Sequence, residues 1–212
     1  MKMLLGFGFA ALAVLALALP VQAEEAARVG DPYPLNVCAV SGEPLGSMGD
    51  PIVHVKDGRE VKFCCGGCTK KYDTMTEQFS AQVDEKIIAD QESHYPLTVC
   101  VNSGAALGDS PKVFVAGNRE MKTCCGNCEK AVKADPAKFI EKLDAAVKEK
   151  QAATYALKTC PVSGKELAGG GVDVVVANRL VKLCCEGCKA KVASNPIDAI
   201  TKVDEAAKAA KS

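Results

Sequence analysis

Tryptophan is absent from the 212 residues, histidine occurs twice, and the aromatic side chains are four Tyr and six Phe. So few bulky rings exclude one large packed core, because such rings supply much of the apolar area that a core of this size buries. Two isolated histidines exclude a repeated histidine ligand. Charge of either sign in excess is also lacking: 26 Lys and Arg face 26 Asp and Glu. Nucleic-acid binding rests on a basic surface, which this balance does not supply. The chain also lacks a phosphate loop and any Ser/His/Asp set.

Only one long apolar run is present, and it stands at the start. Met1 and Lys2 precede Leu4 to Leu19, and Pro20-Val21-Gln22-Ala23 gives a small-residue exit with Val21 and Ala23 at the minus-three and minus-one places. This pattern reads as a secretory signal over residues 1–23, cut before Glu24. The alternative is an uncleaved anchor, but the run falls short of the about 20 residues that a spanning helix needs, and Pro20 closes it. The expected product is periplasmic or secreted, with no membrane span after cleavage. All twelve cysteines lie beyond the signal, at a density found in chains held by disulfides or metals.

The rest of the chain repeats. Tyr33-Pro34-Leu35 leads to Cys38, Ser41-Gly42, Cys64-Cys65 and Cys68. Tyr95-Pro96-Leu97 leads to Cys100, Ser103-Gly104, Cys124-Cys125 and Cys128; Tyr155-Ala156-Leu157 leads to Cys160, Ser163-Gly164, Cys184-Cys185 and Cys188. A fixed period of this length marks tandem units, each one supersecondary element in size. The expected modules are 33–92, 95–152 and 155–212, joined by short polar linkers at Gln91 to His94 and Gln151 to Thr154.

Within a copy, Val53, Val55, Val61 and Phe63 alternate with His54, Lys56, Glu60 and Lys62 about Asp57-Gly58, a strong two-residue hairpin turn. Gly117-Asn118 and Ala177-Asn178 stand in its place, the last being the poorer turn former. Gly66-Gly67-Cys68 opens a short helix. A second helix starts near Met75-Thr76, Asp135-Pro136 or Asn195-Pro196, the latter two being cap-then-proline starts. Its apolar stripe is Phe139, Ile140, Leu143 and Val147 in copy two and Ile200, Val203 and Ala206 in copy three, and it reads as core. Lys148-Glu149-Lys150-Gln151 reads as exposed helix surface. Arg59, Arg119 and Arg179, and Lys62, Lys122 and Lys182, fall on the polar side of the alternation. They are expected to form a solvated face, the rival being electrostatic support of thiolates. His54 and His94 recur in no other copy and read as exposed strand and linker residues.

A loop and a hairpin return the chain to its start, so Cys38 meets a helix N-terminus bearing Cys64, Cys65 and Cys68. Backbone N–H groups and the helix dipole favour thiolate there, the form that binds metal. The turn Cys38-Ala39-Val40-Ser41-Gly42 resembles a zinc knuckle whose second cysteine has become serine, and Cys65 is the candidate to replace it. Zinc suits four thiolates; copper(I) is content with two or three. The alternatives are two disulfides per copy, making a stapled protein-interaction module, a thiol oxidoreductase built on Cys65-Gly66-Gly67-Cys68 and its counterparts, or an iron–sulfur site. Crowding of three sulfurs on one side makes two unstrained disulfides hard to draw, and no βαβ pattern surrounds the Cys-x-x-Cys steps.

The run Cys160-Pro161-Val162-Ser163-Gly164-Lys165-Glu166-Leu167, the hairpin, and Leu183-Cys184-Cys185-Glu186-Gly187-Cys188-Lys189 resemble the TRASH and YHS group of small metal-associated domains, and the resemblance extends over all three copies. It implies metal sensing, trafficking or resistance. By its motif Cys38, Cys64 and Cys68, Cys100, Cys124 and Cys128, and Cys160, Cys184 and Cys188 are ligands. Two features depart from it: a spacer slightly longer than usual, and the added Cys65, Cys125 and Cys185.

The expectation is therefore an α+β chain of three tandem treble-clef-like modules, each a knuckle, a β-hairpin and two short helices. It is not an enzyme, and each repeat holds about one zinc or copper(I) ion through its four cysteines. The sequence leaves open whether the metal is cargo or a staple for a module that binds a protein partner.

Overall fold

A computed structural model describes residues 27–167 and 171–211; the secretory signal expected over residues 1–23 lies outside them. The described chain is mixed α and β, and one sequence of elements occurs three times, each time beside a cysteine cluster. The first set is β1 (Ile52–Lys56), β2 (Arg59–Phe63), α1 (Gly66–Thr74) and α2 (Thr76–Gln91). A short 3₁₀ turn, Glu92–His94, follows. The second set is β3 (Lys112–Ala116), β4 (Arg119–Thr123), α3 (Gly126–Ala134) and α4 (Pro136–Gln151); the third is β5 (Val172–Val176), β6 (Arg179–Leu183), α5 (Glu186–Ser194) and α6 (Ile197–Ala209). Asp135 caps α4 by accepting the Lys138 N–H, with Pro136 in the first turn, where proline's missing N–H costs nothing. Among the described residues no helix is long and apolar enough to cross a membrane.

Each pair of strands is an antiparallel hairpin closed by two residues of positive φ: Asp57 and Gly58, Gly117 and Asn118, Ala177 and Asn178. This is the type I′ pattern, whose twist matches that of the strands. Ala177, at φ 50, is the one residue of the six with neither glycine's freedom nor a side chain that tolerates this region. Ala177→Gly is expected to stabilise the chain by about 1 kcal/mol, read as a higher urea midpoint with an unchanged m-value.

The two-residue turn also corrects which hairpin residues share a face. Lys56 pairs with Arg59, so His54 faces Val61 and Ile52 faces Phe63, while Val53 and Val55 lie opposite Lys62 and Glu60. Directly opposed residues in an antiparallel pair point to the same side. The core side is thus His54, Val61 and Phe63, and Val53 is half exposed. His54 is no free surface residue: its ring lies 5.9 Å from that of Phe63 and 6.3 Å from that of Tyr72.

Three small clusters form instead of one core. Val61, Phe63, Tyr72, Phe79, Val83 and Ile87 build the first, Phe114, Met121, Val132, Phe139 and Leu143 the second, and Val181, Leu183, Val192, Ile200 and Val203 the third. The far side of each hairpin is covered by another part of the chain. Helix α2 packs on β3 and β4, and α4 on β5 and β6. Gln91 and Gln151 are not linker. They end α2 and α4 and grip the next hairpin: Gln91 donates to the Asn118 carbonyl and accepts from the Glu120 N–H, and Gln151 does the same with Asn178 and Leu180. The first hairpin is covered by the segment ahead of it, where Arg28 pairs with Glu60 and the Tyr33 N–H donates to the same carboxylate. Lys62 and Arg28 also donate to the carbonyls of Ser194 and Ala193 at the end of α5, so the third unit closes onto the first.

The recurring arginines are not a solvated face. Arg119 and Arg179 are buried, and each arginine pairs with an aspartate of the second helix in its own unit: Arg59 with Asp84, Arg119 with Asp144, Arg179 with Asp204. Each also reaches another unit. Arg59 donates to Asn118 and Arg119 to Asn178, both at 3.0 Å, and Arg179 donates to Asp90. The alternation within one copy is blind to these contacts because the partners lie 59 residues away for Arg59 and Arg119 and 89 for Arg179. Lys62, Lys122 and Lys182 likewise have partners within the chain: Lys62 is buried and bonded to Ser194, Lys122 pairs with Glu120, and Lys122 and Lys182 lie over the rings of Tyr95 and Tyr155.

Candidate metal centre

The first cysteine of each copy is set in a tight turn. The Cys38 N–H donates to the Glu43 carbonyl and the Gly42 N–H donates back to the Cys38 carbonyl. Gly42 takes φ 74, a left-handed conformation that glycine adopts without steric cost. Cys100 with Gly104 and Cys160 with Gly164 repeat the arrangement. The remaining cysteines arrive at the end of the second strand and the start of the next helix, where Cys65, Cys125 and Cys185 are the N-cap residues of α1, α3 and α5.

These two pieces meet. The Sγ atoms of Cys38, Cys64 and Cys68 lie within 4.8 Å of one another, as do those of Cys100, Cys124 and Cys128 and of Cys160, Cys184 and Cys188. All twelve thiols are free, and none is joined in a disulfide. The Sγ separation is 3.7 Å for Cys64 and Cys68, 3.8 Å for Cys124 and Cys128 and 3.7 Å for Cys184 and Cys188. Tetrahedral zinc with Zn–S bonds of about 2.3 Å spaces its sulfurs about 3.8 Å apart. Each group of three can therefore hold a metal ion.

Cys65, Cys125 and Cys185 stand beside these groups. Cys65 Sγ lies 3.7 Å from Cys68 Sγ, and Cys185 Sγ lies 3.7 Å from Cys184 and 3.8 Å from Cys188. The four cysteines of a copy thus split into a mostly buried three and a fourth at the mouth, with Cys125 and Cys185 exposed and Cys65 partly so.

The electrostatics also differ within each group. Burial opposes ionisation of Cys38, Cys100 and Cys160, but hydrogen bonds from Ser41, Ser103 and Ser163 and from nearby backbone N–H groups outweigh it and hold each thiol down to about 6. Burial and the adjoining thiols push Cys68 and Cys188 up to about 12. At Cys128 the Asn102 side chain lowers the value, but Cys125, burial and the other sulfurs override it and raise the thiol to about 11. One ready thiolate per group thus lies beside a proton-bearing thiol, and an arriving cation displaces that proton because metals bind the thiolate.

In the sequence Ser41, Ser103 and Ser163 are only the residues that replace the knuckle's second cysteine. In the structure their hydroxyls lie 3.5, 3.6 and 3.2 Å from Cys64, Cys124 and Cys184 Sγ. A hydroxyl there shares a hydrogen bond with one sulfur, the kind of outer contact that orients ligands around a metal.

No protein-family model, curated protein or solved structure shows significant similarity to the chain.

Proposed function

We propose that the protein is an exported metal-binding protein that holds thiophilic ions, zinc or copper(I), one per repeat, for sequestration or trafficking. The observation that carries this reading is the threefold recurrence of three free sulfurs at metal-bridging distance, each group fed by a knuckle-like turn and a helix start. Treble-clef-like modules of the TRASH and YHS kind account for that recurrence, and the apolar residues 1–23 account for export. Binding is its work, and no catalysis is assigned to it. Cys38, Cys64, Cys68 and their counterparts form the holding set, with Cys65, Cys125 and Cys185 at its mouth.

Four cysteines gathered at one point suit a metal better than two disulfides, since Cys64, Cys65 and Cys68 share one helix start and a disulfide needs a defined Cα separation and dihedral. Counting thiols separates the two. Protein denatured anaerobically with a chelator and no reductant is expected to give all twelve cysteines as reactive thiols, with metal released in step. A count near zero without metal would support the stapled module instead.

A further inference from the structure

In each holding group two of the three sulfurs are enclosed: Cys38 and Cys100 are fully buried, Cys160 is 1 % exposed, and Cys64, Cys128 and Cys188 are below a tenth exposed, while Cys68, Cys124 and Cys184 are partly exposed. An ion seated among such sulfurs leaves slowly unless another ligand reaches it first, because soft d¹⁰ ions keep their thiolates unless these are exchanged. The fourth cysteine of each copy is the ligand an incoming group meets. Cys125 and Cys185 are exposed and Cys65 half-buried. Both intervening residues of Cys65-Gly66-Gly67-Cys68 are exposed.

The covering of this mouth is thin. A side chain at Gly66 or Gly126 would meet nothing within 4 Å. At Gly67 a Cβ would stand 3.8 Å from Cys65 Sγ, and at Gly187 one would stand 3.9 Å from Cys185 Sγ. Glycine at these two positions leaves the thiol unshielded, although neither has a positive φ that demands glycine.

We infer that Cys65, Cys125 and Cys185 are transfer ligands, through which each repeat passes its ion to an acceptor presenting accessible paired cysteine thiols. The inference rests on the metal-binding reading above. In the exchange the exposed sulfur and one acceptor thiolate share the ion, and sulfurs of the buried group then release it one at a time. Each acceptor thiol that binds gives up a proton, and each released cysteine takes one up. No electron is transferred, and the ion keeps its charge. An accessible sulfur 3.7 Å from a holding sulfur lets the ion move by short steps, without a bare intermediate.

The test is a stopped-flow chase of metal from the full chain, loaded with zinc or copper(I) and mixed with a short peptide carrying a Cys-x-x-Cys pair. With the native chain the rate is expected to rise linearly with peptide concentration. Two triple variants separate the roles, metal content being read before each chase. Gly67→Leu, Asn127→Leu and Gly187→Leu cover the mouth; this chain is expected to load fully and to transfer on the order of tenfold more slowly. Cys65→Ser, Cys125→Ser and Cys185→Ser are expected to keep three ions and to lose the dependence on peptide concentration. Unchanged rates in both fully loaded variants would overturn the inference. So would loss of the ions from the serine variant, which would make the fourth cysteine a holding ligand. A native chain that never loads would overturn the metal-binding reading itself, and the inference with it.

Discussion

Replacing Arg119 with methionine lowers the stability of the folded chain by about 3–5 kcal/mol, the usual cost of removing one partner from a buried ionic network. Arg119 is fully buried and uses three of its nitrogens on three separate segments. Nε donates to Asp31 at 2.5 Å, Nη1 to Asn178 at 3.0 Å and Nη2 to Asp144 at 2.6 Å. Asp31 precedes the first unit and also accepts the Ala177 N–H of the third, so the guanidinium ties the segment that leads into the first unit to the second and third units at one point. Removing it leaves the Asp31 carboxylate buried at 6 % exposure without its cation. Lysine is expected to fail almost as badly, because a single ammonium cannot address three directions at once. Arg59→Met serves as the control: Arg59 and its partner Asp84 are 19 % and 33 % exposed, so its loss should cost less. Urea unfolding at fixed metal occupancy measures the difference. Adding Asp31→Asn to the Arg119 variant should recover part of it, since the orphaned charge is then gone. A loss below about 1 kcal/mol for Arg119→Met would place this network among the ion pairs of little consequence.

Replacing Cys38 with serine is expected to empty the first unit of metal while the other two stay loaded, so that metal content falls by one ion per chain. The residue is fully buried, its thiol is held down to about 6, and it faces Cys64 and Cys68 from the opposite side of the group. Serine keeps the shape but offers a hard, neutral oxygen where a soft thiolate is needed. A structural zinc contributes roughly 10 to 16 kcal/mol to a small domain that binds it, so an empty first unit should also loosen. Because α2 covers β3 and β4, the damage is expected to reach the second hairpin as well. Elemental analysis gives the ion count, and limited proteolysis shows whether cutting begins in the first unit and extends into Lys112–Thr123. Unchanged metal content would remove Cys38 from the ligand set.

What the sequence made legible was whatever one copy determines by itself. The turn at Asp57-Gly58, the helix starts at Thr76 and Pro136, the stripe Phe139, Ile140, Leu143 and Val147, and the gathering of Cys38 with Cys64 and Cys68 all follow from spacing and local residue type. Facing within the hairpin departs from the simple alternation: a two-residue turn pairs odd positions with even ones, which puts His54 inward and Val53 outward. The larger omission concerns contacts between copies. Arg119, Gln91 and Glu120 look like surface residues when one unit is viewed alone, and each is fully buried only because another unit lies against it. A repeat tells which residues recur; it does not tell which of them face the next copy. At the candidate metal centre, the division between a mostly buried three and one at the mouth accompanies the N-cap position of Cys65, Cys125 and Cys185, which adjacency to Cys64, Cys124 and Cys184 does not reveal.

The central claim is that each copy holds one metal ion, and a native mass spectrum of the chain, purified without reductant or chelator, tests it most directly. The account predicts a mass gain of about three ions, one closed site per copy, with the increment naming the metal. A mass deficit of about 12 Da with no metal would mean six disulfides, the default of oxidising compartments, and would contradict it.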